Sequence, residues 1–512
     1  MTITNKKSFL LYFVIIIFSI VVVNVLFRNI FFRLDLTANK MYSLSDSSKL
    51  VVDKIDDLLT LKVYFSDDLP DKYGNNRRYL QDILEEYEAF SHGNIHFEFY
   101  KPEDSENLAS EAQKYGIQPV QLQVVENDKL EIKKVYMGMV FIYEDQREII
   151  PVIQTTTGLE YDITTKIKKL VDTQKRTLAV AKFEGQVMTN DNITQLLRQS
   201  YNVKDIKLDT EIPNDISLLL VNGVEDSVSE NEISNLKQFV AKGGNLFVTQ
   251  SKIKADLQTL RGSVIQSNFF DVLGEFGLAI DENVILDKQC GQVTVSQNVG
   301  IFRMNSAVDY PFFPLIQNFG DHLIVDGLEQ IRILFPSSIV IDNSIIADSV
   351  NDVIDANITP LFYTSDKSAT MSGYYNLSYE PKTNPVIQNL NEKGKAVAVL
   401  AAVETSTSTW LSQIVLVADS KFLSDDGGGS IQENSVFVMN TVDYLMGDSD
   451  LIALRSREIT TRPLEAIDDE LKSKLKWMNI LLPSLLIISL GFFILRKESN
   501  RAKILGEIYE QK

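Results

Sequence analysis

Few residues in this chain have the types and spacing that chemistry needs. Cys290, the single cysteine, carries a nucleophilic atom, but a thiol works only where a base or a helix N-terminus holds it as thiolate. No Gly-x-Cys-x-Gly turn surrounds it, and the nearest histidine in sequence, His322, falls in another segment. It reads as an inert thiol, and a lone cysteine allows no intramolecular disulfide. His92 and His96 are four apart, a metal-binding spacing on a helix, yet they straddle a helix end at Ser91-His92-Gly93 and a strand at 95–100. Asp425-Asp426-Gly427-Gly428-Gly429-Ser430 opens like a calcium loop but lacks acidic residues at the alternate positions that follow, so a flexible surface loop is expected. Gly243-Gly244 follows a helix rather than opening one, and no Gly-x4-Gly-Lys-Ser/Thr run exists; the pair reads as a helix stop, not a phosphate loop. Asp419-Ser420, just past a buried strand, sits where doubly wound sheets place functional groups, and a loop cap explains it equally well. With three histidines in 512 residues, the sequence assembles no enzyme, and nothing in it calls for a cofactor or a metal.

The elements that carry these residues begin with two apolar runs. Residues 9–27 hold 16 Phe, Leu, Ile or Val in 19 positions and no charge. At 1.5 Å per residue the run reaches roughly 28 Å, about a bilayer's hydrocarbon thickness. Residues 477–495 form a second 19-residue run between Lys476 and Arg496, with Trp477 at an interfacial position and Pro483 within. The expectation is one transmembrane helix at each end. The first run is too long for a signal peptide and no small-x-small cleavage site follows it. Lys6 and Lys7 before the first span, with Arg496, Lys497, Arg501 and Lys503 after the second, place both termini in the cytoplasm. Of the 50 Lys and Arg, 40 fall in residues 34–475, against 66 of the 69 Asp and Glu, so the intervening body carries −26. Such a surface argues against nucleic acid and against lying flat on anionic lipid. It is expected outside the inner membrane, on two legs.

Within the body, 61–65 reads as a strand. A helix with Tyr79, Leu80, Ile83, Leu84, Tyr87 and Phe90 on one face follows, then a strand at 95–100 and a helix at 103–115. Strands at 120–125 and 131–143 alternate at period two across Asn127-Asp128, and a last strand covers 148–153. This βαβα order with a closing antiparallel hairpin is similar to a thioredoxin-like domain, with Pro119 where that fold carries a cis-proline. The loop Ser66-Asp67-Asp68-Leu69-Pro70-Asp71-Lys72-Tyr73-Gly74 has no thiol, so such a domain is redox-dead. A connecting helix at 159–172 leads to a second α/β domain. It has strands at 177–181, 216–221 and 245–249 and helices at 192–201 and 230–241, the latter with Ile233, Leu236, Phe239 and Val240 inward. That order implies a mostly parallel sheet. Residues 280–375 read as an insertion of short strands. Buried strands return at 396–403 and 413–418, and a helix at 434–446 closes the domain.

The divisions expected are therefore a cytoplasmic N-terminus and first span over 1–33, a junction over 34–58, a thioredoxin-like domain over 59–157 and an α/β domain over 158–450. A charged linker over 451–476, the second span and a cytoplasmic tail over 496–512 complete the chain.

The junction carries the most patterned stretch, Arg33-Leu34-Asp35-Leu36-Thr37-Ala38-Asn39-Lys40-Met41-Tyr42-Ser43-Leu44-Ser45. Arg33 can snorkel to headgroups, Asp35 and Thr37 can make local turns, and Ser45 can cap a helix over 46–57. The run resembles the R-x-DLT-x4-YSLS signature of the gliding-motility GldG family, auxiliary and nominally substrate-binding subunits of a bacterial ABC transporter. The resemblance extends over the anchor, residues 240–246, 360–365, 417–422 and 440–445, and the final span. It implies Arg33, Asp35, Leu36, Thr37, Tyr42, Ser43, Leu44, Ser45, Asp419 and Ser420 as motif or interaction residues. It also implies a separate ATPase and a polytopic permease as partners, in the inner membrane of a Bacteroidetes-like cell. The second domain resembles the class I glutamine-amidotransferase-like (GIFT) fold shared with intraflagellar-transport proteins, without the nucleophilic cysteine and histidine of working amidotransferases. The function implied is a non-enzymatic transporter subunit whose periplasmic body engages a ligand or a motility or secretion component. The alternatives are an envelope hydrolase or transferase using Asp419, and a scaffold independent of any transporter.

Overall fold

The computed structural model describes residues 16–18, 43–67, 69, 71–126, 129–172, 175–183, 189–299, 302–341, 353–405, 411–449, 451–452, 454–455 and 469–509. The first apolar run beyond its helical residues 16–18, the motif residues Arg33, Asp35, Leu36, Thr37 and Tyr42, and the turn at 127–128 lie outside the described residues. The chain divides into two units, Met1–Thr460 and Thr461–Lys512.

The first unit starts with helix α1 (Asp46–Val52), capped by the Ser45 side chain, which accepts from the Ser48 N–H. The expected helix ran to Asp57; it stops at Val52. Strand β1 (Leu59–Phe65), helix α2 (Asp71–Phe90), strand β2 (Ile95–Tyr100) and helix α3 (Glu106–Lys114) follow. Strands β3 (Val120–Glu126) and β4 (Lys129–Val135) come next, then β5 (Met137–Tyr143), β6 (Gln146–Ile150) and helix α4 (Leu159–Val171). The four-stranded sheet runs β2-β1-β5-β6, with β1 parallel to β2 and antiparallel to β5.

Three expectations change here. The strand expected over 131–143 is two, because β4 pairs only with β3 in a separate ribbon while β5 joins the main sheet. The peptide bond before Pro119 is trans. Helix α4 is not a bare connector: Leu159, Ile163, Ile167 and Leu170 pack into one core with Leu59, Leu61 and Tyr87, so it belongs with the first sheet. Tyr79 to Tyr87 turn inward as their spacing predicts, whereas Phe90 is exposed beneath the Lys49 ammonium.

The second part continues with β7 (Thr177–Lys182), α5 (Asp191–Leu197), β8 (Asn202–Lys207), β9 (Ile216–Asn222), α6 (Glu230–Ala241), β10 (Asn245–Thr249) and α7 (Phe269–Glu275). A long hairpin, β11 (Cys290–Val299) and β12 (Phe302–Ile316), is followed by β13 (Asn318–Phe319), β14 (Val353–Tyr363), β15 (Ala396–Thr405), β16 (Ser412–Val417) and α8 (Gln432–Leu445). The eight-stranded sheet runs β13-β14-β15-β16-β10-β9-β7-β8. From β16 to β8 every neighbour is parallel, and the other three strands are antiparallel. The sheet is therefore mixed, a result of β14 and β15 returning as direct neighbours without a crossover helix.

Its inner parallel strands β7, β9, β10 and β16 are buried on both faces, which is why they read as apolar runs, whereas the edge strand β8 is largely exposed. Ala179, Leu219, Val221, Leu246, Val248 and Leu416 face α6 and α7. Their neighbours Leu178, Leu218, Leu220, Phe247 and Val415 face α5 and α8. Gly243, at φ +91°, lets α6 stop in a left-handed turn. The β11–β12 hairpin corrects the expectation of short strands over 280–375: its arms are 10 and 15 residues long. Gln292-Val293-Thr294-Val295-Ser296 alternates half-buried valines with exposed polar residues, the pattern of one-sided antiparallel pairing. The stretch from 451 expected as linker begins packed, with Leu451, Ile452, Leu454 and Arg455 all buried.

The second unit is helix α9 (Asp469–Tyr509), which runs through Pro483. Lys472–Glu498 within it holds an 18-residue window of mean hydropathy 2.3 and is long and apolar enough to cross a membrane.

Candidate functional site

The carboxyl ends of β7, β9, β10 and β16 open into a cavity of about 960 Å³, the end of a parallel sheet where loops converge without strand pairing. Phe183, Gly223, Ser251 and Asp419 each lie just past one of those strands and line it. The remaining wall mixes apolar side chains, from Val224, Ile253, Ile265, Phe313, Leu334 and Phe335, with charged and hydroxyl residues. Four of those charges are spoken for: Lys254 pairs with Glu225 and Lys421 with Asp426. Glu232 closes the capping box of α6 on Ser229.

Asp419 and Ser420 thus reach the cavity the sequence pointed to, but both are engaged. One Asp419 oxygen accepts the Leu334 N–H and the other the Lys421 N–H, each at 2.8 Å. Full burial pushes the carboxyl up from 3.8 to about 7 against those two bonds. The Ser420 hydroxyl accepts the Ser251 N–H at 2.8 Å and lies 2.9 Å from the Ser251 hydroxyl. These contacts sew β16 to the β10 exit and to the Leu334 segment. They form the floor of the cavity. Neither the cysteine nor any of the three histidines lines it.

Those other candidates are placed elsewhere. Cys290 is half-buried at the start of β11, and burial, helped by Asp309, raises its thiol to about 11, far from a thiolate at neutral pH. His322 Nδ1 accepts the Ile324 N–H at 3.2 Å and its ring meets Tyr444 edge-on. His92 faces Asp53, and His96 lies between Glu88 and Glu98. Among the described residues no three His, Cys, Asp or Glu are grouped to hold a metal ion.

The Asp425–Ser430 loop is not the flexible surface loop expected. Asp425 accepts the N–H groups of Asp191 and Asn192 at 2.9 Å, covering the start of α5. Gly428 is buried so close to the chain that an added Cβ would stand 2.4 Å from the Phe422 carbonyl oxygen. The three glycines are there because backbone packs on backbone.

Of the junction motif, Ser43, Leu44 and Ser45 are described. Leu44 is buried in the first core. Ser45 N–H and the Ser48 hydroxyl both donate to Glu160 Oε1, at 2.8 and 2.7 Å. The next residue along α4 holds the other end of the body: the Arg455 guanidinium donates to the Tyr161 hydroxyl and to Asp443 Oδ2, each at 2.7 Å, and to Asn440. Arg455 also stacks over the Tyr161 ring, and Tyr201 donates to the other Asp443 oxygen at 2.7 Å. Helix α4 therefore receives the incoming segment at Glu160 and the outgoing one at Tyr161. Glu160, Tyr161, Asp443 and Arg455 were not singled out from sequence. The one available signal was Asn440 and Asp443 breaking an otherwise apolar helix face.

Compared with known proteins, residues 167–447 match the family described as an ABC-type uncharacterized transport system, and residues 38–142 match a domain of unknown function (DUF7088). A Borreliella burgdorferi protein described as uncharacterized is 23% identical over 462 residues, 87% of this chain and 89% of that one. Among solved structures, the mmIFT52 N-terminal domain aligns at 12% identity and TM-score 0.33, covering 52% of this chain and 96% of that one. A thua-like protein from Parabacteroides merdae aligns at 11% and 0.26, covering 58% and 93%.

Proposed function

The chain belongs to the ABC-type uncharacterized transport system family of auxiliary components, and from that membership we propose that it is the ligand- or partner-engaging subunit of a gliding-motility-type ABC transporter. As an auxiliary component it is not an enzyme, and its apolar C-terminal helix suggests membrane association. In the proposal, the first apolar run is a second leg and both termini are cytoplasmic. The acidic body stands in the periplasm beside a permease, with a separate ATPase supplying the work. The first sheet with α2 and α4 on one face and α3 on the other is a thioredoxin-like module without a redox pair, and 175–455 is a GIFT-like one. The β2-β1-β5-β6 order supports the first assignment, and the parallel half-sheet flanked by helices on both faces supports the second.

The observation that carries the reading is the cavity at the carboxyl ends of β7, β9, β10 and β16. It is as large as small-molecule sites usually are, its wall mixes apolar and polar surface in similar measure, and Asp419 and Ser420 are spent on backbone and serine contacts. That is a vessel for binding, not for turnover. Detergent extracts of native membranes, crosslinked and affinity-purified on this chain, should yield an ATP-binding-cassette ATPase and a polytopic permease. Recovery of neither, with the chain itself intact, would overturn the assignment. Protease added to intact spheroplasts should digest the body; protection there, with cleavage only in inverted vesicles, would reverse the topology.

A further inference from the structure

A second cleft lies at the opposite, amino-terminal end of the parallel strands, where the two sheets of the body meet. It holds about 390 Å³ and is framed by α1, the last turns of α4, the approach to β7 and the turn after α5. In a chain whose formal charge is −19, its wall is the reverse. Lys54, Lys168, Lys169, Lys175 and Arg176 line it against Asp172 and Asp448, a surplus of three positive charges. Three helices, α4, α5 and α8, also end here, each contributing roughly half a negative charge. Lys168 and Arg176 pair with Asp172 and Asp448, and Lys169 pairs with Glu148 beyond the wall, so Lys54 and Lys175 are the two cations left without a carboxylate partner among the described residues.

Two features show that the cleft is not complete by itself. Lys175 has only backbone for company, its ammonium 3.3 and 3.5 Å from the Arg198 and Gln199 carbonyl oxygens. Burial, together with Lys169 and Lys166 nearby, holds its pKa below the usual lysine value. Thr165, which lines the cleft from α4, has a buried hydroxyl with no hydrogen-bond partner among the described residues, an arrangement that costs about 1–3 kcal/mol unless something answers it. Lys54 has no acidic partner among the described residues either. Lysines offer point charges with rotatable donors, suited to an anion of several equivalent oxygens.

We propose that this cleft binds a phosphate-bearing ligand, its anionic phosphate held by Lys54 and Lys175 and its oxygens within reach of the Thr165 hydroxyl. A phosphate carries −1 as a diester and about −1.5 to −2 as a monoester near neutral pH, charge that the two unpaired lysines can answer. The source of the phosphate is a soluble phosphate compound or a phospholipid headgroup, and the chemistry is the same for both.

The test uses the full chain in detergent micelles, titrated with inorganic phosphate, and in nanodiscs with and without phosphatidylglycerol, from which retained lipid is counted by native mass spectrometry. Saturable phosphate binding is expected, weakening with added salt, falling at least fivefold in the Lys54→Gln/Lys175→Gln variant and at least threefold in Thr165→Val. Melting temperatures of the variants should stay close to that of the parent, since none of the three side chains carries a packing role. If phosphate is not held but phosphatidylglycerol is retained and lost in the same variants, the ligand is the lipid headgroup. Retention of neither probe, or retention indifferent to these substitutions, overturns the proposal.

Discussion

Replacing Arg455 by Met tests whether the outgoing segment is bolted to the body. The Arg455 side chain is 7% exposed and that of Asp443 0%, so water cannot replace the lost guanidinium. Asp443 would keep only the Tyr201 hydroxyl on one oxygen, while Tyr161 and Asn440 would each lose a charged donor. Breaking a buried pair from one side typically costs about 3–5 kcal/mol. In a body of this size roughly 2 °C of melting temperature corresponds to each kcal/mol, so the variant should melt about 6–10 °C lower. Removing both charges, as Arg455→Met with Asp443→Leu, leaves no orphaned carboxylate and should recover most of the loss, since an apolar pair of similar volume often matches a buried ion pair. The assay is thermal and urea unfolding of the full chain in detergent. A single variant within about 1 kcal/mol of the parent, or a double variant no better than the single, would refute the bolt.

Three further outcomes follow from the same geometry. Asp419 titrates near 7 in the folded protein against an ordinary 3.8, so the fold holds a proton that the unfolded chain has already released. Its contribution to stability is therefore full below about pH 4, declines as pH rises to about 7 and is level above, a change of about 4 kcal/mol at most; urea unfolding from pH 5 to 8 should show this slope in the parent and not in Asp419→Asn, and parallel curves would contradict it. Gly428→Ala should cost about 2–3 kcal/mol because its Cβ meets the Phe422 backbone rather than a movable side chain, and an unchanged melting temperature would show that this loop can shift. Glu160→Ala strands the Ser45 N–H and leaves the Ser48 hydroxyl only the Thr164 and Ser45 hydroxyls, and should cost about 2–3 kcal/mol, against about 1 kcal/mol for Ser45→Ala, which removes the cap; equal losses on chemical denaturation would separate the motif from α4.

The elements that sequence placed correctly are those whose signal is local. Glu230–Ala241 appears with its cap, its inward Ile233, Leu236, Phe239 and Val240 and its glycine stop, because helical period, capping box and Gly243 all lie within 15 residues. The strands read over 216–221, as a parallel one, and over 413–418, as a buried one, were legible because burial on two faces erases alternation; they appear as Ile216–Asn222 and Ser412–Val417. Asp419 and Ser420 were located at the cavity by the rule that strand ends carry sites, but their bonding partners, Leu334 and Ser251, stand 85 and 169 residues away.

Composition and periodicity alone settled that an acidic α/β body is joined to an apolar C-terminal helix, and that cysteine and histidine are scarce, one and three in 512 residues. Only the tertiary structure decided that the chain's entry and exit converge on neighbouring residues of α4, that the glycine run is packed rather than free, and where the cavity and the basic cleft lie. The reason is physical: a helix or strand is selected by energies between residues a few positions apart. The Ser45–Glu160 and Arg455–Tyr161 contacts span 115 and 294 residues, and no local pattern encodes which distant surface will be there to meet them.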